Sequence, residues 1–229
     1  MIKRPKLYVV ATHIGNPEDI TLRALNVLKK VNFVICEEFK SGSKLLNHYN
    51  IKKKLENLNE HNEDEQTPAI IRKLLENKMS AALISDAGTP LFADPGNKLV
   101  RDCHSNGIQV VPIPGASSIM AALMASGLAL KQFLYYGFLS ANKFERRKEL
   151  KKLPRDYDLI FLETPYRLKQ LLKDMRRILG SNREAIIAYK LTQPEEKILW
   201  GTLKELVTMT KGLPKGEFVI ILKKYRKRR

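Results

Sequence analysis

The sequence predicts an α/β protein of two domains, each a mainly parallel sheet flanked by helices. Three observations point there. Short apolar runs alternate with amphipathic helical patterns along most of the chain. Turn-rich segments carrying glycine and proline recur after the expected strands. Pro112, Pro114 and Gly115 interrupt the pattern near the middle of the 229 residues, and that length holds one large or two compact domains.

Taken in order, Leu7–Thr12 is an apolar run of strand length. Asp19–Lys30 follows as a helix, with Ile20, Leu22, Ala24, Leu25, Val27 and Leu28 mostly on one broad face. Asn32–Cys36 is a second strand, Ser43–Tyr49 a short helix and Lys54–Glu60 a third strand. A helix over Thr67–Asn77, a strand over Ala81–Ser85, a helix over Gly96–Asn106 and a strand over Gln109–Pro112 complete the first half. Prolines resist helix and strand and Gly115 permits a turn, so the boundary is placed there, giving domains 1–115 and 116–222. The second half runs from a helix at Ser117–Ser126 through a strand at Phe133–Phe138 to a basic helix at Lys143–Lys152. Strand Leu159–Glu163, helix Tyr166–Leu179 and strand Ala185–Lys190 come next. Ile198–Gly201, helix Leu203–Thr210 and strand Glu217–Leu222 close it, and residues 223–229 form a basic tail, KKYRKRR.

Composition narrows the class. Hydrophobic residues at 44% and charged residues at 28% suffice to bury a core, so the chain is not predominantly disordered. No stretch of about 18 apolar residues reads as a membrane span. The N-terminal apolar run is short, and His13 and Gly15 interrupt it, so a buried strand fits better than a signal peptide. Two cysteines, Cys36 and Cys103, exclude a disulfide scaffold and point to a reducing cytoplasm. The net charge is +17 and unevenly spread. Residues 1–115 carry 16 basic and 13 acidic side chains, whereas residues 116–229 carry 25 and 11. An excess of +3 against +14 places the attraction for a polyanion in the second half.

In open parallel sheets, ligands bind beyond the carboxyl ends of the strands. Four segments fall at such ends: THIGNPED, SDAGTPLFADPG, PIPGASS and FLETP. Gly15, Gly88, Gly96 and Gly115 let backbone approach a ligand, and Pro90, Pro95 and Pro114 stiffen the loops. Other chemistries lack their signatures. There is no P-loop, no dinucleotide glycine triplet after the first strand, no HExxH and no nucleophile elbow at Ser117–Ser118. His13, His48, His61 and His104 have no zinc-type spacing with cysteine, so no metal is expected. Trp200 and most Phe and Tyr residues fall on strands and read as core.

The run LYVVATHIGNPEDITLRALNVLKKV, with LNEHNE, ALISDAGTPLFADPG, PIPGASSIMAALMASGL, FLYYGFL, FLETPYRL and KGEFVIIL, resembles the ribosomal RNA small-subunit methyltransferase I group of the tetrapyrrole methylase superfamily. The resemblance spans Leu7 to Leu222, and DAGTPxxxDPG is its most specific part. It implies a two-domain tetrapyrrole methylase-like fold with S-adenosyl-L-methionine in a cleft between the domains, usually in a homodimer. The implied reaction is 2′-O-methylation of a cytidine ribose in 16S rRNA, free or within the small ribosomal subunit. The implied cofactor residues are His13, Gly15, Asp86, Ala87, Gly88, Thr89, Ser117, Ser118, Glu163, Gly216, Glu217 and Phe218. The group usually has Pro where His13 stands, and AEDTRHT where this chain reads CEEFKSGS.

A ribose hydroxyl is a poor nucleophile while protonated, so a general base is expected. Glu37 and Glu38, on the loop after the second strand, are the candidates. Lys40 and Lys44 are placed to hold a flanking phosphate or to lower the hydroxyl pKa electrostatically. Lys143, Arg146, Arg147 and Lys148, on the basic helix, are further expected RNA contacts. Two other readings stay open: a tetrapyrrole or protein methyltransferase of the same superfamily, and a non-catalytic RNA-binding protein that keeps the pocket.

Overall fold

The computed structural model describes residues 5–129 and 131–225. The chain divides into two compact units, residues 1–117 and 118–229. The division falls two residues beyond the expected boundary. Residues 226–229 of the basic tail lie outside the described residues.

The first unit is a five-stranded, wholly parallel sheet. Its strands are β1 (Lys6–Val10), β2 (Phe33–Cys36), β3 (Lys54–Asn57), β4 (Ser80–Leu83) and β5 (Gln109–Ile113), in the order β3-β2-β4-β1-β5. Between them run α1 (Leu22–Lys30), α2 (Phe39–His48), α3 (Glu63–Glu76) and α4 (Asn97–Ser105). One core cluster joins Ala24 and Leu28 of α1 and Leu45 and Leu46 of α2 to Val10, Val34 and Ala82. The other joins Ile70 and Leu74 of α3 and Leu99 of α4 to Leu7, Ile35 and Leu83. Helices therefore cover both faces. Connections from β1 and β2 run one way across the sheet and those from β3 and β4 run the other. With right-handed crossovers, that reversal sends the two helix pairs to opposite faces. Neighbouring β1 and β4 therefore send their connections to opposite faces, and in open α/β sheets ligands bind beyond the carboxyl ends at such a switch point.

Several boundaries move from their expected places for local reasons. β5 runs one residue past Pro112, which an edge strand tolerates because no ladder bond needs its missing N–H. α3 starts one turn before the expected Thr67, because the Asn62 carbonyl accepts from the amides of Glu65 and Gln66 ahead of Pro68. α2 begins at Phe39, not Ser43, and continues through Gly42. A Cβ there would lie 2.8 Å from Cys36 Sγ, so the helix packs onto β2 only with glycine at that position. Cys36 and Cys103 are both buried and unbonded.

The second unit carries α5 (Ser118–Ala125), β6 (Phe133–Gly137), α6 (Lys143–Lys151), β7 (Asp158–Glu163), α7 (Leu168–Leu179), β8 (Glu184–Tyr189), β9 (Lys197–Thr202), α8 (Leu203–Met209) and β10 (Phe218–Leu222). Its sheet has the order β6-β7-β10-β8-β9. Here the expectation of a mainly parallel sheet is corrected. β6 and β7 are parallel, but β7 with β10, β10 with β8 and β8 with β9 are antiparallel. Residues 190–196 between β8 and β9 are too few for a helical crossover and make a hairpin. β10 then inserts between β7 and β8, and all five of its residues are buried, as a central strand covered on both faces requires. Leu159, Phe161, Leu171, Leu172, Ile187 and Ile220 centre a large core cluster of this unit.

Candidate active site

The carboxyl edge of the first sheet gathers the expected loops. After β1, the Thr12 amide donates to the Gly88 carbonyl at 2.8 Å, and the Gly88 amide donates to the His13 carbonyl at 2.9 Å. This two-way backbone bridge fastens the THIGN loop to the DAGTP loop across the β1/β4 switch point. Gly88 has φ +76°, and a Cβ on it would stand 2.8 Å from Ile14 Cγ2, so only glycine fits. Ser85 Oγ donates to the Ala87 carbonyl at 3.1 Å, and Thr89 Oγ1 to the Ala116 carbonyl at 3.0 Å. The second of these bonds reaches the loop after β5. There Gly115 lies against Ala11, whose Cβ would be 3.0 Å from an added one. His13, Gly15, Asp86, Ala87, Gly88, Thr89 and Ser117 thus share three adjoining loops. Thr12 Oγ1 and His13 Nδ1 are buried there with no hydrogen-bond partner among the described residues.

The loop after β2 brings acids to the same edge. Burial first, then the charges of Asp86, Asp94, Glu38 and Glu60, push the Glu37 carboxyl above its usual range. Asp86 is raised chiefly by burial and further by Glu38, although hydrogen bonds from the Ser41 side chain and the Glu38 backbone oppose this. Asp94 goes up to about 6, through burial and then the Asp86 charge, against a hydrogen bond from the Leu91 backbone. His13 is pulled down by burial and next by His48, with Lys44 adding to this and Asp19 opposing it. Glu38 is the N-cap residue of α2 and is exposed, without a side-chain capping bond. Lys40 and Lys44 are exposed at i and i+4 on α2, on one face of the helix.

Residues beyond the expected set hold these loops in place. Asn57 Nδ2 donates to the Glu37 carbonyl. Asn57 Oδ1 accepts from Asn59 Nδ2 at 3.0 Å and from Asn62 Nδ2 at 2.7 Å. Glu63 Oε1 accepts from the amides of Gly96 at 3.0 Å and Lys98 at 2.9 Å, capping α4 from another element. The LNEHNE segment is therefore a clamp between the Glu37 loop and the end of the DPG turn. Asp94 and Glu60 lie within the quoted motifs, but nothing in their local spacing marks them as neighbours of Glu37.

In the second unit, Glu163 at the end of β7 pairs directly with Phe218 at the start of β10. Glu163 Oε2 lies 3.1 Å from an Arg167 guanidinium nitrogen and accepts from the Thr164 amide. Burial raises its carboxyl, with that amide and the charges of Arg167 and Arg146 opposing. Gly216 packs against Lys190 and Tyr189, where an added Cβ would come within 2.7 Å of Lys190 Cγ. Glu217 accepts from Gln193 Nε2, and the Phe218 ring is in the core. Phe218 therefore has no side chain to offer a ligand. Ser118 opens α5.

The expected RNA contact at Arg146 is corrected. Arg146 is 4% exposed and reaches Asp174 Oδ2 through Nε at 3.1 Å and Nη2 at 2.6 Å. Its Nη1 donates to the carbonyls of Ser140 and Ala141. Arg147 takes Asp174 Oδ1 at 2.9 Å. Burial alone would raise Asp174, but the bonds from Arg146, Arg147 and Gln170 outweigh it and hold the carboxyl below its usual range. Arg146 shares the inward face of α6 with Leu150, so helical spacing turns it toward α7. Lys143 and Lys148 remain exposed, with Lys148 paired to Glu145 at 2.8 Å. Among the described residues, no group of three or more His, Cys, Asp or Glu side chains is placed to hold a metal ion. No described helix is long and apolar enough to cross a membrane.

A doubly wound unit with its loops fastened at the switch point, joined to a second mixed-sheet unit, matches one family closely. The family model described as Tetrapyrrole (Corrin/Porphyrin) Methylases covers residues 6–207. A uroporphyrin-III C-methyltransferase from Thermus thermophilus, solved with S-adenyl homocysteine, has the same fold, with a TM-score of 0.61 and 19% identity over 94% of this chain and 91% of that one. Two curated relatives are nearer. Ribosomal RNA small subunit methyltransferase I of Halalkalibacterium halodurans is 44% identical over 94% of this chain and 75% of its own length. The Haemophilus influenzae protein of the same name is 42% identical over 94% and 77%. The chain belongs to the tetrapyrrole methylase family, within its ribosomal RNA small subunit methyltransferase I group.

Proposed function

We infer that the chain is an S-adenosyl-L-methionine-dependent methyltransferase acting on small-subunit ribosomal RNA. We further propose that it methylates the 2′-hydroxyl of a cytidine ribose in 16S rRNA. The observation that carries this reading is the convergence of the THIGN, DAGTP and PIPG loops beside a cluster of carboxylates at one sheet edge. The family relationship supplies the substrate class.

The residues present fit a sulfonium donor. Gly88 and Gly115 let their loops close against Ile14 and Ala11, and Thr12 Oγ1 and His13 Nδ1 are polar atoms without a partner among the described residues in the loops concerned. His13, Gly15, Asp86, Ala87, Gly88 and Thr89 are the first-unit residues that would hold it. When bound, the donor supplies a methyl carbon already activated for in-line displacement. The acids Glu37, Asp86 and Asp94 favour a cation at this edge over a neutral product.

Alignment of donor and hydroxyl is the main task of the chain, and orientation contributes up to ~7–11 kcal/mol in favourable cases. Glu37 takes the hydroxyl proton. Its raised pKa brings it closer to the working pH, where a base accepts a proton most effectively. Glu38, more exposed, adds to the field that raises Glu37. Lys40 and Lys44 hold a phosphate beside the reacting ribose. A homodimer working in the cytoplasm completes the proposal.

The deciding experiment is mass mapping of 16S rRNA from cells with and without the protein. The proposal expects one cytidine to lose a ribose methyl group in its absence. An unchanged methylation map would overturn it.

A further inference from the structure

The second unit holds a cavity of about 440 Å³ at the end of its sheet where β7 begins, away from Glu163 where β7 ends. Six residues of β7 separate the two ends by about 17 Å. Gly180, Arg183, Glu184, Thr202, Lys224 and Tyr225 contribute to its wall. A smaller hollow shares Arg183 and Tyr225 with it and adds Lys151 and Arg155.

Arg183 is the unusual residue. It is only 7% exposed, yet its Nε has no hydrogen-bond partner among the described residues. Its guanidinium carbon lies 3.5 Å from the centroid of the Tyr225 ring, and that of Arg155 lies 5.2 Å from the same centroid. The backbone fixes this arrangement. The Leu203 amide donates to the Arg183 carbonyl at 2.8 Å, and the Tyr225 amide to the Arg155 carbonyl at 2.9 Å. Two acids lie near: Asp158, whose charge acts on Arg183 and whose Oδ1 accepts from the Lys224 amide, and Glu184, which lines the hollow and pairs with Lys223 through Oε2. Arg155, Arg183 and Lys224, with Lys151 beside them, leave the site cationic. The next four residues in sequence, Arg226–Arg229, are all basic.

A guanidinium on the wall of a cationic hollow suits an anion with several acceptor oxygens. A partly exposed tyrosine beside it suits a stacked base. We propose that this pocket binds a backbone phosphate of the RNA substrate through Arg183, Arg155 and Lys224, with the adjoining nucleotide against Tyr225. The choice of RNA as the source of the phosphate rests on the proposed function. The pocket draws on residues of the second unit alone, and it accounts for part of that half's basic excess that Arg146 does not supply.

The test measures binding of a labelled single-stranded RNA to the full chain by anisotropy across a range of salt, with inorganic phosphate as a separate ligand. Arg183→Gln is expected to lose about tenfold in RNA affinity. The double variant Arg155→Gln/Lys224→Gln, at exposed positions, is expected to lose a similar factor. Each should flatten the plot of log affinity against log salt by ~0.7 for every phosphate contact removed. If Arg183→Gln fails to fold, the double variant decides alone. Wild-type affinity and slope in the variants would overturn the pocket. Loss of phosphate binding with RNA affinity unchanged would overturn RNA as the source. Failure of the wild type to methylate small subunits, with RNA binding still lost in the variants, would remove the functional reading and leave the pocket standing.

Discussion

The two units use their carboxylates in opposite ways. The first, nearly neutral in sequence, gathers Glu37, Asp86 and Asp94 at one edge, where burial raises all three and the Asp86 charge adds to the rise of Glu37 and Asp94. The second, strongly basic, buries Asp174 beneath two arginines and holds it ionised. In the first, no ion pair joins these acids to a cationic side chain among the described residues, which suits them to accept a proton or attract a cation. In the second, an acid with two arginines fixes α6 to α7 and takes those arginines away from any polyanion. Net charge therefore points to the half suited to a polyanion without identifying residues that would contact one.

The comparison breaks most visibly at Gly88. Gly88→Val forces a β-branched residue to φ +76° and into Ile14. Calorimetry should find no measurable S-adenosylmethionine binding, while unfolding of the second unit stays cooperative. Next in size is Glu37→Gln, which should slow single-turnover methyl transfer by about 10²–10⁴-fold. With the base raised, wild-type transfer should fall with acidification at a pH above the ordinary glutamate range, and the variant should lose that limb. A variant with the wild-type pH profile would exclude Glu37.

Asp174→Ala should cost stability, about 3–5 kcal/mol, by leaving Arg146 buried and unpaired. Denaturant unfolding measures it, and a loss below about 1 kcal/mol would show that the pair is replaceable. The smallest effect is expected at Asp94. Its folded pKa of about 6 exceeds its ordinary 3.8, so the folded state binds more protons than the unfolded one between those values. Stability therefore falls as pH rises through that window and stays lowered above it. Asp94→Asn should be more stable than wild type at neutral pH, and the gain should fade as pH falls from 6 toward 3.8.

Much of this was legible in the sequence, for identifiable reasons. Parallel strands of the first unit are short apolar runs separated by helices, and that rhythm survives in one dimension. The glycines of DAGTP and PIPG read as places where backbone approaches a ligand, and in the structure Gly88 and Gly115 stand where a side chain would collide with Ile14 and Ala11. Strand direction in the second unit was less legible, because an apolar run reads the same in either sense. The short link from β8 to β9 was the available sign. Arg146 was misread because its partner lies 28 residues away on another helix. Asp174, an acid among Leu171, Leu172 and Met175, was the clue that a buried cation had to meet it. The clamp formed by Asn57 and Glu63 joins β3, α3 and α4, so no local pattern discloses it.

The central claim is that the fastened loops of the first unit carry methyl transfer to small-subunit RNA. Its most direct test supplies labelled S-adenosylmethionine to small ribosomal subunits stripped of this modification, with wild type and Gly88→Val side by side. Label is expected on a cytidine ribose of 16S rRNA with wild type and none with the variant. Equal labelling by both proteins, or label accepted only by corrinoid precursors, would contradict it.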